Sequence, residues 1–307
     1  MTTIHVPVLV NMTMEYLVNQ LDGVYVDATL GTGGHFRALS EKLDQNAVLI
    51  GIDADPTAIE YCKNSLVIPQ KHLYINSNFE SIKAVCFRNG YPRVNGILMD
   101  LGLSSFGLDN QQRGFSYSTD GPLDMRFSPD LTVTAKDIVN SADQFQLETI
   151  FRNYGEERHS RLIARAIISE RNIEPINTTG RLAEIIRRRT HPTHVTKTLS
   201  RIFQALRIAV NRELDVLEKA VKDAISMLET DGRIAIITYH SLEDRIIKQL
   251  FKTESSDCIC PPEFPICQCN HKATIKKLTG KPILPDRAEI RMNSRARSAK
   301  LRVAVKI

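Results

Sequence analysis

Short apolar, β-branched runs alternate with amphipathic stretches through the first hundred residues. VYVDAT (24–29), AVLIGID (47–53), HLYI (72–75) and GILMDLG (96–102) read as strands. GGHFRALSEKL (33–43), DPTAIEYCKNSL (55–66) and NFESIKAVCFRNG (78–90) read as the helices between them. This alternation predicts βαβ units, hence an α/β domain with a mostly parallel sheet and helices on both faces. After Gly102 the rhythm breaks: residues 104–130 are rich in Gly, Ser, Asp and Pro, as in a long ordered loop or a boundary. From Thr134 to Glu229 the pattern is helical. HSRLIARAIISERN (159–172) repeats apolar positions at Leu162, Ile163, Ala166 and Ile167, and Thr178 or Thr179 offers an N-cap for the next helix. GRIAIITYHSLEDRIIKQLFK (232–252) restores strand then helix, with Ser241 a candidate cap, and AKLRVAVKI (299–307) closes as an alternating strand. The helices are therefore expected as an insertion: a core of 1–112 and 212–307 interrupted by a helical domain at 113–211.

Composition changes this picture little. The 307 residues are 42% hydrophobic, and no apolar run approaches the roughly 18 residues of a membrane helix. The N-terminus lacks the charged lead of a secretory signal, so a cytoplasmic protein with no membrane partner is expected. Charge is more informative. The net +5 conceals two basic segments: 152–212 has 13 Lys+Arg against 5 Asp+Glu, and 271–307 has 11 against 2. A solvated helix face explains most such runs, but two at this density favour a polyanion, and nucleic acid is the expected partner.

The turn after the first strand carries the chemistry. In open α/β sheets ligands sit beyond the carboxyl ends of the strands, where a glycine turn lets backbone approach them at a helix N-terminus. GTGG, with Gly31, Gly33 and Gly34, stands there. A dinucleotide fingerprint would need glycine where Phe36 stands, and no G-K-[ST] follows, so nicotinamide and P-loop chemistry are disfavoured. A helix N-terminus suits a carboxylate, and Asp53, ending the second strand, stands where a carboxylate takes ribose hydroxyls. A nucleoside with an amino-acid tail meets both: S-adenosylmethionine. Phe79 could lie on an adenine or pack in the core. Asp100 ends the fourth strand and is the expected reaction centre, and His240 stands at the neighbouring lip.

HVPVL (5–9), DATLGTGGH (27–35), DLGLSS (100–105), RGFSYSTDGPLDMR (113–126), YGEER (154–158), FQALRIAVNREL (203–214), YHSLEDR (239–245) and SRARSAKLR (294–302) together resemble the bacterial RsmH (MraW) family over essentially the whole chain. The resemblance implies a class I, Rossmann-like S-adenosylmethionine-dependent methyltransferase. Its substrate would be N4 of a cytidine in the decoding region of 16S ribosomal RNA, with the small ribosomal subunit as partner. It further implies cofactor contacts by Gly33, Gly34, His35, Asp53, Phe79 and Asp100, and puts Gly107 where the family commonly has a glutamine contact. Asp100 would accept a hydrogen bond from the reacting amine, with Ser104 or Ser105 nearby. RNA contacts are expected from Arg187, Arg188, Arg189, Arg295 and Arg297 in the basic segments. An RNA-binding assembly factor of the same fold without turnover is the alternative.

Four of the six cysteines, Cys258, Cys260, Cys267 and Cys269, form two C-x-C pairs. Structural zinc more often uses C-x₂₋₄-C, so they are read as reduced thiols in a Pro-bent loop and no metal is assigned, with a zinc knuckle as the alternative.

Overall fold

The computed structural model describes all residues but 1–6, 103–110, 262 and 265–266. The chain divides into two compact units, 1–102 with 214–307, and 103–213. It changes unit at 102/103 and 213/214, where the sequence reading sets 112/113 and 211/212. Inside the insert the Arg113 guanidinium donates to the carbonyls of Arg126 and Phe127, both 2.9 Å away.

The strands are β1 (Val24–Asp27), β2 (Val48–Asp53), β3 (Lys71–Asn76), β4 (Val94–Asp100), β5 (Leu228–Thr238), β6 (Ile275–Lys277) and β7 (Lys300–Lys306). The helices before the insert are α1 (Val10–Leu17), α2 (Gly34–Lys42), α3 (Pro56–Ser65) and α4 (Ile82–Arg88). Within it lie α5 (Ala135–Ser141), α6 (Gln144–Asn153), α7 (Ser160–Arg171), α8 (Thr179–Arg188) and α9 (Val195–Asn211). α10 (Glu213–Met227), α11 (Ser241–Glu254) and α12 (Arg287–Met292) follow.

The first unit holds one seven-stranded sheet in the order β3-β2-β1-β4-β5-β7-β6. β1 to β5 are parallel, and β7 runs antiparallel between β5 and β6. The strands read as near-continuous apolar runs because both faces are covered. Val26, Ile50, Ile97, Met99, Ile234 and Ile236 pack on one side with α10 residues such as Leu217 and Val221. Their neighbours Tyr25, Leu49, Leu98, Ala235 and Ile237 pack on the other with Phe36 and Leu39 of α2.

In the second unit the predicted helices form, with one correction. Ile163, Ala166 and Ile167 are buried as expected, but Leu162 is 47% exposed and Ala164 is buried with the others, so one position of the inward stripe of α7 differs from the expected one. Thr178 is the residue that caps α8, accepting from the Arg181 amide at 3.2 Å. The stretch before α5 is ordered by side chains: Arg126 grips Asp124 with two bonds of 2.8 Å and reaches the Leu131 carbonyl at 2.7 Å. The Asn211 amide donates to the Met125 carbonyl at 2.8 Å and accepts from the Phe127 amide at 2.7 Å.

One polar clamp sets the start of α11. Asp244, in its first turn, accepts from Arg302 Nε at 2.7 Å and Lys300 Nζ at 3.0 Å on β7. Arg302 is buried, so removing its partner strands a charge away from water. Asp244→Ala is expected to lose about 3 kcal/mol or more, read by urea denaturation at neutral pH; a loss no larger than that of an exposed ion pair would show that the clamp does not order this edge.

Candidate active site

β1 is flanked by β2 on one side and β4 on the other, so the chain's crossovers diverge there and leave a crevice beyond the carboxyl ends. Three of those ends are aspartates: Asp27 on β1, Asp53 on β2 and Asp100 on β4.

Asp53 Oδ2 accepts from the Gly31 amide at 2.7 Å and Oδ1 from the Asp55 amide at 2.8 Å. The residue expected to bind ribose is thus also the anchor of the glycine turn. Burial pushes its carboxyl up to about 6, against the pull of those amides. Gly33 has φ +74° and precedes α2 as its N-cap, without a side-chain cap. A Cβ there would meet Leu66 Cδ1 at 2.3 Å and Cys62 Sγ at 3.1 Å, so Leu66 would have to move, and the left-handed backbone strains any residue but glycine. The first-turn amides of α2 have no intrahelical acceptors and lie under the positive end of the helix dipole.

His35, the second residue of α2, is buried with Nε2 3.4 Å from Asp100 Oδ2. That is ion-pair distance, but neither ring nitrogen has a hydrogen-bonding partner among the described residues. Burial opposes its protonation; Asp100, Asp27 and Glu289 outweigh it and hold the imidazole above its ordinary pKa. Asp100 Oδ1 accepts from the Tyr239 hydroxyl at 2.8 Å, and the Asp100 amide donates to Thr29 Oγ1 at 2.7 Å. Burial and then the Asp100 charge push the Tyr239 hydroxyl far up, so it stays a donor. Asp27 is buried too, accepting from the Thr29 amide at 3.1 Å, and burial raises it to about 7 against the attraction of His35.

The structure thus brings together Gly31, Gly33, Gly34, His35, Asp53 and Asp100 around one strand edge. Phe79 begins the turn Phe79–Ser81 after β3 and packs partly on the sheet core. Ser104, Ser105 and Gly107 lie outside the described residues. His240, and not Ser241, is the N-cap of α11: its Nδ1 accepts from the Glu243 amide at 3.4 Å, and Nε2 lies 3.0 Å from Glu243 Oε1. Sequence reasoning passed over Asp27, Thr29, Tyr239 and Glu289. Asp27, Thr29 and Tyr239 stand inside quoted motifs, so their strand-end position was a usable signal. Glu289, which accepts from the Leu9 amide at 2.5 Å, gave none.

The RNA candidates fall on both units. Arg187 and Arg188 end α8 and Arg189 follows it, all exposed. Arg188 pairs with Glu184 and lies 3.9 Å from Glu170, while Arg187 reaches the Tyr117 carbonyl at 3.5 Å. Arg295 and Arg297 project from the turn Ser294–Ser298 and are exposed.

A family model described as the MraW methylase family matches residues 2–307. A protein of Clostridium botulinum (strain Loch Maree / Type A3) named Ribosomal RNA small subunit methyltransferase H is 47% identical over 311 residues, 99% of either chain. Proteins of the same name from Carboxydothermus hydrogenoformans and Brevibacillus brevis are each 46% identical. The first spans 99% of this chain and 98% of its own, the second 100% of both.

Asp27 makes the site testable without ligand. Its folded pKa lies above the ordinary 3.8, so its contribution to stability is complete below about pH 4 and lost as pH rises through about 7. The loss is on the order of 4 kcal/mol. Asp27→Asn keeps an acceptor for Thr29 and should flatten the decline in stability between pH 4 and 7, read by denaturant melts. Parallel pH profiles for the two proteins would refute the buried, neutral carboxyl.

Proposed function

The chain belongs to the MraW methylase family, and from this membership we propose that it methylates N4 of a cytidine in the decoding region of small-subunit ribosomal RNA in the cytoplasm. The observation that carries the chemistry is the Asp100 carboxylate, held by the Tyr239 hydroxyl with His35 at ion-pair distance, at the crevice where the crossovers on either side of β1 diverge.

The residues present fit S-adenosylmethionine. The uncapped start of α2 suits its carboxylate, Asp53 keeps acceptor capacity beyond two amides for ribose hydroxyls, and Phe79 suits the adenine. Beyond its 3.4 Å approach to Asp100, His35 makes no side-chain hydrogen bond among the described residues, as expected of a group that a ligand completes. When bound, S-adenosylmethionine supplies a methyl group on a sulfonium sulfur.

The acceptor is the harder partner. An exocyclic cytosine amine shares its lone pair with the ring, so the site must favour the pyramidal nitrogen. Asp100 does so by accepting a hydrogen bond from N4, and it stabilises the positive charge that develops on N4 as the new bond forms, before the methylated nitrogen releases its proton to water. Tyr239 holds Oδ1 by donation, which limits rotation of the carboxylate while leaving lone pairs for the amine. Holding the partners in line supplies roughly 7–11 kcal/mol of the barrier, which suits a direct transfer. The target cytidine must be unpaired or flipped, since N4 is engaged inside a base pair. The arginines of both basic segments support RNA as the partner.

With small-subunit RNA or subunits from cells lacking this protein, Asp100→Asn should lower single-turnover methylation on the order of 10²-fold or more while RNA affinity holds; calorimetry gives its cofactor affinity alongside. A near-normal rate would move the chemistry away from β4, and no methylation of either substrate by the unaltered protein would sink the reading.

Replacing Arg187, Arg188 and Arg189 together by Gln should act oppositely. RNA binding weakens and its log–log salt slope falls by up to about 2 for single-stranded contacts, with the rate at saturating RNA unchanged. An unaltered slope in a folded variant would remove α8 from the RNA surface.

A further inference from the structure

The loop leaving α11 and returning to β6 is stapled at its base. The Thr274 amide donates to the Glu254 carbonyl at 2.8 Å, Thr274 Oγ1 to Glu254 Oε2 at 2.6 Å, and His271 Nε2 to the Thr253 carbonyl at 3.0 Å. Beyond that base the loop has little core: Ile259 and Phe264 are about half exposed. What gathers its tip is sulfur. Cys258, Cys260, Cys267 and Cys269 bring their Sγ atoms within 4.8 Å of one another.

We propose that these four cysteines hold one zinc ion as a tetrahedral tetrathiolate that orders the loop. Zinc–sulfur bonds of about 2.3 Å at tetrahedral angles set sulfur–sulfur edges of about 3.8 Å. Cys267 and Cys269 lie 3.6 Å apart, and Cys269 lies 3.8 Å from Cys258. Disulfide bonds would need about 2.05 Å, and all four residues are free thiols. The short edges join the two C-x-C pairs as well as the members of one, so the pairs converge on a common centre.

The backbone supports thiolate charge there. The Ile259 amide donates to Cys269 Sγ at 3.4 Å, Cys260 to Cys258 Sγ at 3.4 Å, and Gln268 to Cys260 Sγ at 3.3 Å. Such amide donors orient ligating sulfurs and temper their charge in metal sites. A four-sulfur tetrahedral set selects zinc, or iron in clusters, over harder ions. The C-x-C spacing that argued against a metal is accommodated because the amides of Ile259 and Gln268, the residues between the paired cysteines, point at sulfurs instead of carbonyls. The site is structural, since four protein ligands leave no open position for substrate.

Full-length protein purified under reducing conditions, loaded with Zn²⁺ and freed of unbound ion, should carry about one equivalent by elemental analysis. Co²⁺ in its place should give the intense visible bands of a four-sulfur tetrahedral site. The double variant Cys258→Ser, Cys269→Ser should lose the metal, and the single variant Cys267→His, which exchanges one ligand for another, should keep it. Chelation should expose four additional thiols to alkylation and open the loop to protease. Zinc no higher than in the buffer blank, full retention by the double serine variant, or alkylation indifferent to chelator would overturn the proposal. The Co²⁺ spectrum of the unaltered protein decides the matter even if the serine variants fail to fold.

Discussion

Asp27, Asp53 and Asp100 end strands that lie side by side, in the order β2-β1-β4, so three carboxylates are crowded at one largely buried edge. Left alone they would repel one another and lose more by leaving water than the fold could recover. Nearly every feature of the site answers that constraint. The Gly31 and Asp55 amides satisfy Asp53, Thr29 satisfies Asp27, Tyr239 satisfies Asp100, and His35 lies within reach of the Asp27 and Asp100 charges from the start of α2. The residual strain is visible in Asp27 and Asp53, which burial still holds near neutral pH. A cationic ligand entering this edge would relieve it, and a sulfonium is a cation.

The neighbouring lip is governed by a different device. Glu243, buried in the first turn of α11, accepts from the Tyr239 amide at 2.9 Å and the His240 amide at 3.3 Å, while His240 Nδ1 accepts from the Glu243 amide at 3.4 Å. Tyr239 therefore reaches Asp100 from a backbone locked by a capping box. His240 has a structural task that competes with any catalytic one, because its ring already faces the Glu243 carboxylate.

Much of this was legible in the sequence. Strand ends are readable because apolar runs stop at Asp27, Asp53 and Asp100, and glycine at 33 is readable because a helix begins after it. On the inward face of α7, Ile163, Ala166 and Ile167 are legible from their spacing, whereas Leu162 looks apolar wherever it points, and only packing shows that Ala164 is buried instead. The cap of α11 was misassigned because serine is the commoner cap, and histidine serves here only by virtue of its ring nitrogen and Glu243. The four cysteines are legible as two C-x-C pairs, with a zinc knuckle as the alternative reading, but spacing along the chain does not show that their sulfurs lie together. Glu289 lies 280 residues from its partner Leu9, a separation no local pattern encodes.

The antiparallel position of β7 has a consequence for biosynthesis. β7 is made after every other strand, yet it sits inside the sheet, between β5 and β6, and carries Lys300 and Arg302 to Asp244. The 103–213 unit is continuous in sequence and can complete its contacts as soon as it emerges from the ribosome. The sheet unit cannot: its halves are separated by that whole insertion, and β5 presents an open edge until its neighbour arrives. A member of the MraW methylase family therefore finishes its sheet only as β7 leaves the ribosome.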